Sequence, residues 1–169
     1  MYTYDTKHVK KGDFFICLPG GERYCEEALE KGAKDIVYMT RSEMALFSSA
    51  LNKHPSNDLI VIGITGTNGK TSVAHFVSEA LIYLDCVPKV QGTLSTVLTT
   101  PESLDTQRAM REHVAKGGTH FIMEVSSHAI DQQRISGIEF NIKCLTNITQ
   151  DHLDYHKTLE QYKNTKLHF

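Results

Sequence analysis

The stretch LIVIGIT-GTNGK-TSVAHFVSEALIYL, from Leu59 to Leu84, constrains this chain more than any other. Its first seven residues are almost continuously apolar and β-branched, as expected of a central parallel strand buried on both faces. A glycine-rich turn follows at once. After the turn, apolar residues at Val73, Phe76, Val77, Ala80, Leu81 and Leu84 recur at helical spacing. A buried strand that runs through a tight turn into a helix belongs to a sheet wrapped by helices.

The rest of the chain repeats that alternation. DFFICL (13–18) reads as a short buried strand, and ERYCEEALEKGA as a helix with Tyr24, Ala28 and Leu29 on its apolar side and Gly32 as its stop. DIVYM is a second strand and RSEMALFSSALNKH a second helix. Pro55-Ser56-Asn57-Asp58 is a break, so residues 1–56 form a small first lobe and 57–169 a second. Beyond Leu84, LDTQRAMREHVAKGG is a helix ending in a glycine pair, and THFIMEV and IKCLTNI are two more buried strands. The expected class is α/β: a small N-terminal α/β lobe, then a phosphate-loop-type domain with a mostly parallel sheet.

Composition narrows the partners. The 169 residues are 40% apolar with a net charge of −2, which lacks the basic surplus of a nucleic-acid protein. No apolar run approaches the roughly 20 residues that span a bilayer, and MYTYDTKHVKKG carries no apolar signal segment. A cytoplasmic protein is expected. Cys17, Cys25, Cys86 and Cys144 lack C-x-x-C spacing and read as reduced thiols.

Chemistry concentrates at three places. In GITGTNGKTS, Gly66 and Gly69 let backbone N–H groups turn towards an anion, and the helix N-terminus adds partial positive charge. Lys70 supplies a full charge there, and the Thr71 hydroxyl is placed to reach a magnesium ion. The usual spacing puts a glycine five residues before Gly69, where Ile64 stands instead, and Gly63 comes one residue early. In FIMEVSSHAIDQQR, Glu124 ends a strand, where ligands of open α/β sheets bind, and could share that magnesium. In TNITQDHLDYH, Asp151, His152, Asp154 and His156 crowd past the next strand, and both side-chain types ligate divalent cations. In the last helix Leu159, Tyr162 and Lys166 share one face, which brings a lysine into the buried stripe.

In this order and at these intervals, GITGTNGKTS, TTP, MEVSSHAIDQQR, TNITQDHLDYH and QYKNTK resemble the Mur ligases of peptidoglycan synthesis, the MurE type most closely. The resemblance implies an ATP-dependent, magnesium-dependent amide ligase acting on UDP-MurNAc-dipeptide through an acyl phosphate. It implies that Gly66, Thr67, Asn68, Gly69, Lys70, Thr71 and Ser72 hold the ATP phosphates. Thr71 and Glu124 bind one magnesium and His152 a second on this reading, and Lys166 falls on the lysine that the family carbamylates. The resemblance also implies that Thr99, Thr100, Ser126, Gln132 and Arg134 contact the muramoyl-dipeptide and that Thr6 stands by the uridine.

There are departures. Leu98 stands where many relatives have Asn, and the loop after LPGG is shorter than usual. Set against the family it resembles, the 169 residues are expected to lack the remainder of the central sheet and the C-terminal, amine-binding domain. The chain is therefore expected to be the front part of a ligase that is monomeric when complete, inactive alone and prone to self-association. A non-catalytic nucleotide-binding module and a folylpolyglutamate-synthase-like ligase are the alternatives.

Overall fold

The computed structural model describes residues 1–169 and contains two parallel sheets. The first holds β1 (Tyr2–Thr3), β2 (Phe14–Cys17) and β3 (Asp35–Tyr38) in that order, with α1 (Cys25–Glu30) and α2 (Arg41–Leu51). Thr40 and Glu43 form a reciprocal capping box at the start of α2, satisfying two otherwise orphaned amides. The second sheet is built from β4 (Ile60–Thr65), β5 (Pro88–Gln91), β6 (His120–Glu124) and β7 (Ile142–Leu145), in the order β5-β6-β4-β7. Its helices are α3 (Lys70–Tyr83), α4 (Ser103–Ala115), α5 (Ser127–Asp131), α6 (Leu153–His156) and α7 (Leu159–Leu167).

β4 lies inside the second sheet, paired with β6 and β7, as its unbroken apolar character requires. Ile62, Ile64 and Ile122 face α3 and pack with Ala74, Val73, Val77 and Leu81. Val61, Phe121 and Met123 face the other way, towards Met110 of α4 and Ile130 of α5. Gly63 also lies on that second face, where an added Cβ would collide with the rings of Phe140 and Phe169. The glycine that comes one residue early is thus a packing residue, and the loop proper begins at Gly66.

Two expected stripes are narrower than their periodicity suggests. On α3, Phe76 and Leu84 are 72% and 67% exposed, because the helix meets the sheet along Val73, Ala74, Val77 and Leu81. Near α1, Tyr24 and Leu29 are exposed and only Ala28 is buried, since Tyr24 belongs to a preceding 3₁₀ turn.

The break at Pro55–Asp58 is a 3₁₀ turn, and the two lobes share a core across it. Ile16 of β2, Met44 of α2 and Leu104 of α4 form one buried cluster. Polar contacts reinforce the seam: the Tyr4 hydroxyl donates to Asp105, and Arg111 donates to the carbonyls of Asn52 and Lys53 at 2.7 Å each.

Candidate nucleotide and metal site

The turn after β4 is built for an anion. Gly69 caps α3 with φ +85°, a left-handed conformation that costs glycine nothing. Gly66 has φ +143°, and an added Cβ would strike the Thr146 hydroxyl. The loop past β7 holds this turn from outside. Asn147 accepts from Thr67 N–H at 3.0 Å and, through its side chain, from Asn68 N–H at 3.1 Å, while the Thr146 hydroxyl donates to Asn68 O at 2.7 Å. Sequence reasoning missed this collar, whose partners lie about eighty residues apart.

Two ammonium groups converge on the turn. Lys70 Nζ donates to the carbonyls of Gly66 and Thr67 at 2.8 and 2.9 Å, and Lys166 Nζ donates to the same Gly66 carbonyl at 3.0 Å. Lys166 is 3% exposed and lies over the Tyr162 ring, 4.8 Å from its centroid. Burial first, and the Lys70 charge second, push the Lys166 ammonium down to about 8; burial also lowers Lys70. Neither has a carboxylate within salt-bridge distance. Two cations at a helix N-terminus, without a counter-ion, form a strongly anion-seeking pocket. Leu159, expected on the same buried stripe, is 46% exposed, because α7 meets the loop only through Tyr162 and Lys166.

Glu124 at the end of β6 is 1% exposed and accepts the Thr71 hydroxyl at 2.9 Å. One buried carboxylate beside one hydroxyl oxygen at the phosphate turn is a donor set that suits magnesium, a hard cation that takes few protein ligands. His152 lies elsewhere. It adopts φ 50°, pairs with Asp151 at 3.5 Å, and sets its ring 4.9 Å from His128 and 6.3 Å from Tyr162. It has no hydrogen bond to Glu124 or Lys166. Asp151, His152, Asp154 and His156 do not converge as a cation site: no group of three His, Cys, Asp or Glu side chains in the structure is arranged to hold a metal ion. The physical reason is that His156 is buried and bonded to the Ser127 hydroxyl at 2.9 Å.

Five of the six residues assigned to the substrate meet in one cluster. The Thr100 hydroxyl donates to Glu124 O at 2.9 Å and accepts Ser126 N–H at 2.9 Å. Arg134 donates to Thr100 O and to Gln132 Oε1, at 3.0 Å each. Thr99 Oγ1 lies 3.2 Å from Thr93 Oγ1, which itself reaches Glu124. Thr6 is not part of this group: it sits in a 3₁₀ turn of the first lobe, where its carbonyl accepts from Lys31 at 3.2 Å. Ser72 is exposed on the first turn of α3. Sequence reasoning also missed Glu102, 6% exposed, which draws Arg41 of the first lobe to 3.1 Å and Arg134 to 3.5 Å.

A strand, glycine-rich turn and helix, with a strand-end carboxylate and a second, buried lysine beside the turn, define an α/β domain of the phosphate-loop type. A family model, the Mur ligase middle domain, matches residues 64–169, and the chain belongs to the Mur ligase family. It is 39% identical to the UDP-N-acetylmuramoyl-L-alanyl-D-glutamate–2,6-diaminopimelate ligase of Bacillus licheniformis, over 96% of this chain and 39% of that protein. The enzyme of the same name from Clostridium tetani is 36% identical over 97% of this chain and 40% of its own length. A solved structure of a ligase with that name superposes with a TM-score of 0.78 at 28% identity, covering 98% of this chain and 39% of that one. The fold is shared with MurF of Acinetobacter baumannii, at a TM-score of 0.65 and 16% identity. The chain spans about two fifths of the length of these relatives.

Proposed function

We propose that this chain is the ATP- and UDP-MurNAc-dipeptide-binding part of a MurE-type ligase. Residues 1–56 serve as its uridine lobe and 57–169 as the larger part of its ATP domain, and the reaction is cytoplasmic. The reaction is ATP-dependent amide formation: the γ-phosphoryl passes to the dipeptide carboxylate with release of ADP, and the amine of an added amino acid attacks the resulting acyl phosphate, expelling inorganic phosphate and losing a proton. The relatives' names, 2,6-diaminopimelate ligases, support diaminopimelate as that amino acid. The observation that carries the reading is the meeting of the buried Lys166 ammonium and the half-buried Lys70 ammonium on the Gly66 carbonyl, next to the Thr71–Glu124 pair.

Each residue has a physical task in this scheme. Backbone N–H groups from Gly66 to Thr71 and the Lys70 ammonium hold the polyphosphate. Thr71 and Glu124 would hold magnesium, which neutralises charge on the transferred group. Lys166 is the carbamate lysine of this reading. Its lowered value raises the share of neutral amine, which attacks CO2 with loss of one proton to give a carboxylate. Thr99, Thr100, Ser126, Gln132 and Arg134 orient the acyl acceptor from the far side of Glu124, Thr6 marks the uridine side, and His152 is the second-metal candidate.

Calorimetry on the 169-residue chain tests the reading. Mg·ATP should bind, and Lys70→Ala should weaken it at least tenfold, about 1.4 kcal/mol. Equal affinities in wild type and variant would sink the assignment.

A further inference from the structure

We infer that Thr93, with Gly92 beside it, is a positioning residue that aims the Glu124 carboxylate at the metal and links it to the substrate threonines. Three hydrogen bonds carry this. Thr93 N–H donates to Glu124 Oε1 at 2.9 Å, the Thr93 hydroxyl reaches Glu124 Oε2 at 3.2 Å, and Thr71 occupies Oε2 from the other side at 2.9 Å. Glu124 therefore has both oxygens held in a fixed plane, although it has no ionic partner. Gly92 makes the approach possible, because a Cβ there would collide with the Glu124 carboxylate.

The direction of the hydroxyl relay follows from chemistry. An ionised carboxylate only accepts, so Thr93 spends its single hydroxyl proton on Glu124. Thr93 Oγ1 is then left as an acceptor, and Thr99, 3.2 Å away, must be the donor. The chain in which Thr99 donates to Thr93 and Thr93 donates to Glu124 joins a residue of the substrate cluster to the metal carboxylate. Groups that hydrogen-bond a ligating carboxylate set its orientation and basicity, and their loss typically costs 10–100-fold in metal affinity.

The inference rests on the reading of Thr71 and Glu124 as metal ligands, and the test separates the two. Manganese(II) serves as the probe, its affinity for the intact chain measured by electron paramagnetic resonance with ATP present. Thr93→Val keeps the shape and the backbone N–H but loses the hydroxyl, and should weaken manganese at least tenfold. Thr93→Ser restores the hydroxyl and should stay within about twofold of wild type. Gly92→Ala pushes a methyl group at the carboxylate and should behave like Thr93→Val. ATP affinity measured without metal should not move in any of the three. Wild-type manganese affinity in Thr93→Val, or equal losses in the valine and serine variants, would overturn the positioning role alone. Failure of the wild-type chain to bind manganese would overturn the metal reading and this inference with it. Should Thr93→Val not fold, Gly92→Ala decides on the same readout.

Discussion

Lys166 contradicts what packing alone would select. A lysine 3% exposed, bonded to a carbonyl and without a carboxylate partner, costs stability by the desolvation of its charge. The sign of its pH dependence follows. Its folded value of about 8 lies below its ordinary 10.5, so the folded state disfavours the charged form. The penalty is complete below pH 8 and fades as pH rises towards 10.5. Lys166→Met, similar in length and uncharged, should therefore stabilise the chain at pH 7 by about 1 kcal/mol, and the gain should shrink above pH 8. Thermal midpoints of both proteins between pH 7 and 10 check this. A variant less stable than wild type at pH 7 would mean that the Gly66 contact outweighs the buried charge. A residue kept against stability is where a functional role is expected, which agrees with its place in the proposed mechanism.

At the scale of elements, legibility tracked locality. The turn GTNGK was readable because its chemistry is contiguous, and Lys70, Thr71 and Glu124 stand together as expected. Helix periodicity located α2, α3, α4 and α7 but overestimated the buried faces of α3 and α7, since the number of covering neighbours is not written in the period. β5 (PKVQ) and the two-residue β1 escaped because each is short and its pairing is made by distant strands. The Asn147 collar escaped for the same reason. That collar makes Gly66 a sensitive position: Gly66→Ala should cost about 2 kcal/mol or more in urea unfolding and weaken ATP, since both φ and the Thr146 contact oppose a methyl group. The α5–α6–α7 corner carries a second dependence. Burial holds the His156 and His128 imidazoles below their usual 6.5, aided for both by the neighbouring His152 charge. Their neutral forms stabilise the fold fully above pH 6.5, and that contribution is lost as pH falls below it. The thermal midpoint should drop between pH 6.5 and 5, and His156→Asn should flatten the slope; an unchanged slope would remove His156 as the cause.

At the scale of the molecule, one edge of the second sheet decides solution behaviour. β7 pairs with β4 on one side only, so a row of backbone N–H and C=O groups is left without strand partners on the other. Ile142 and Leu145 on this strand are 51% and 44% exposed, and Phe76, Tyr83 and Leu84 add apolar surface on α3. Lys143 is the one charge on β7, and its ammonium is engaged with the Phe169 carbonyl at 2.7 Å. An unpaired strand with apolar side chains and a diverted lysine is a template for pairing with another copy. The 169-residue chain should therefore self-associate as its concentration rises, with a mass above that of a monomer in light scattering. Replacing Ile142 and Leu145 by lysine should shift the population towards monomer, because charges on an edge strand oppose pairing. If the wild-type chain is monomeric at high concentration and unfolds sharply and reversibly, the β7 edge is not an association surface. If association persists in the double lysine variant, the β7 edge is not its source, and Phe76→Lys then tests the apolar surface of Phe76, Tyr83 and Leu84.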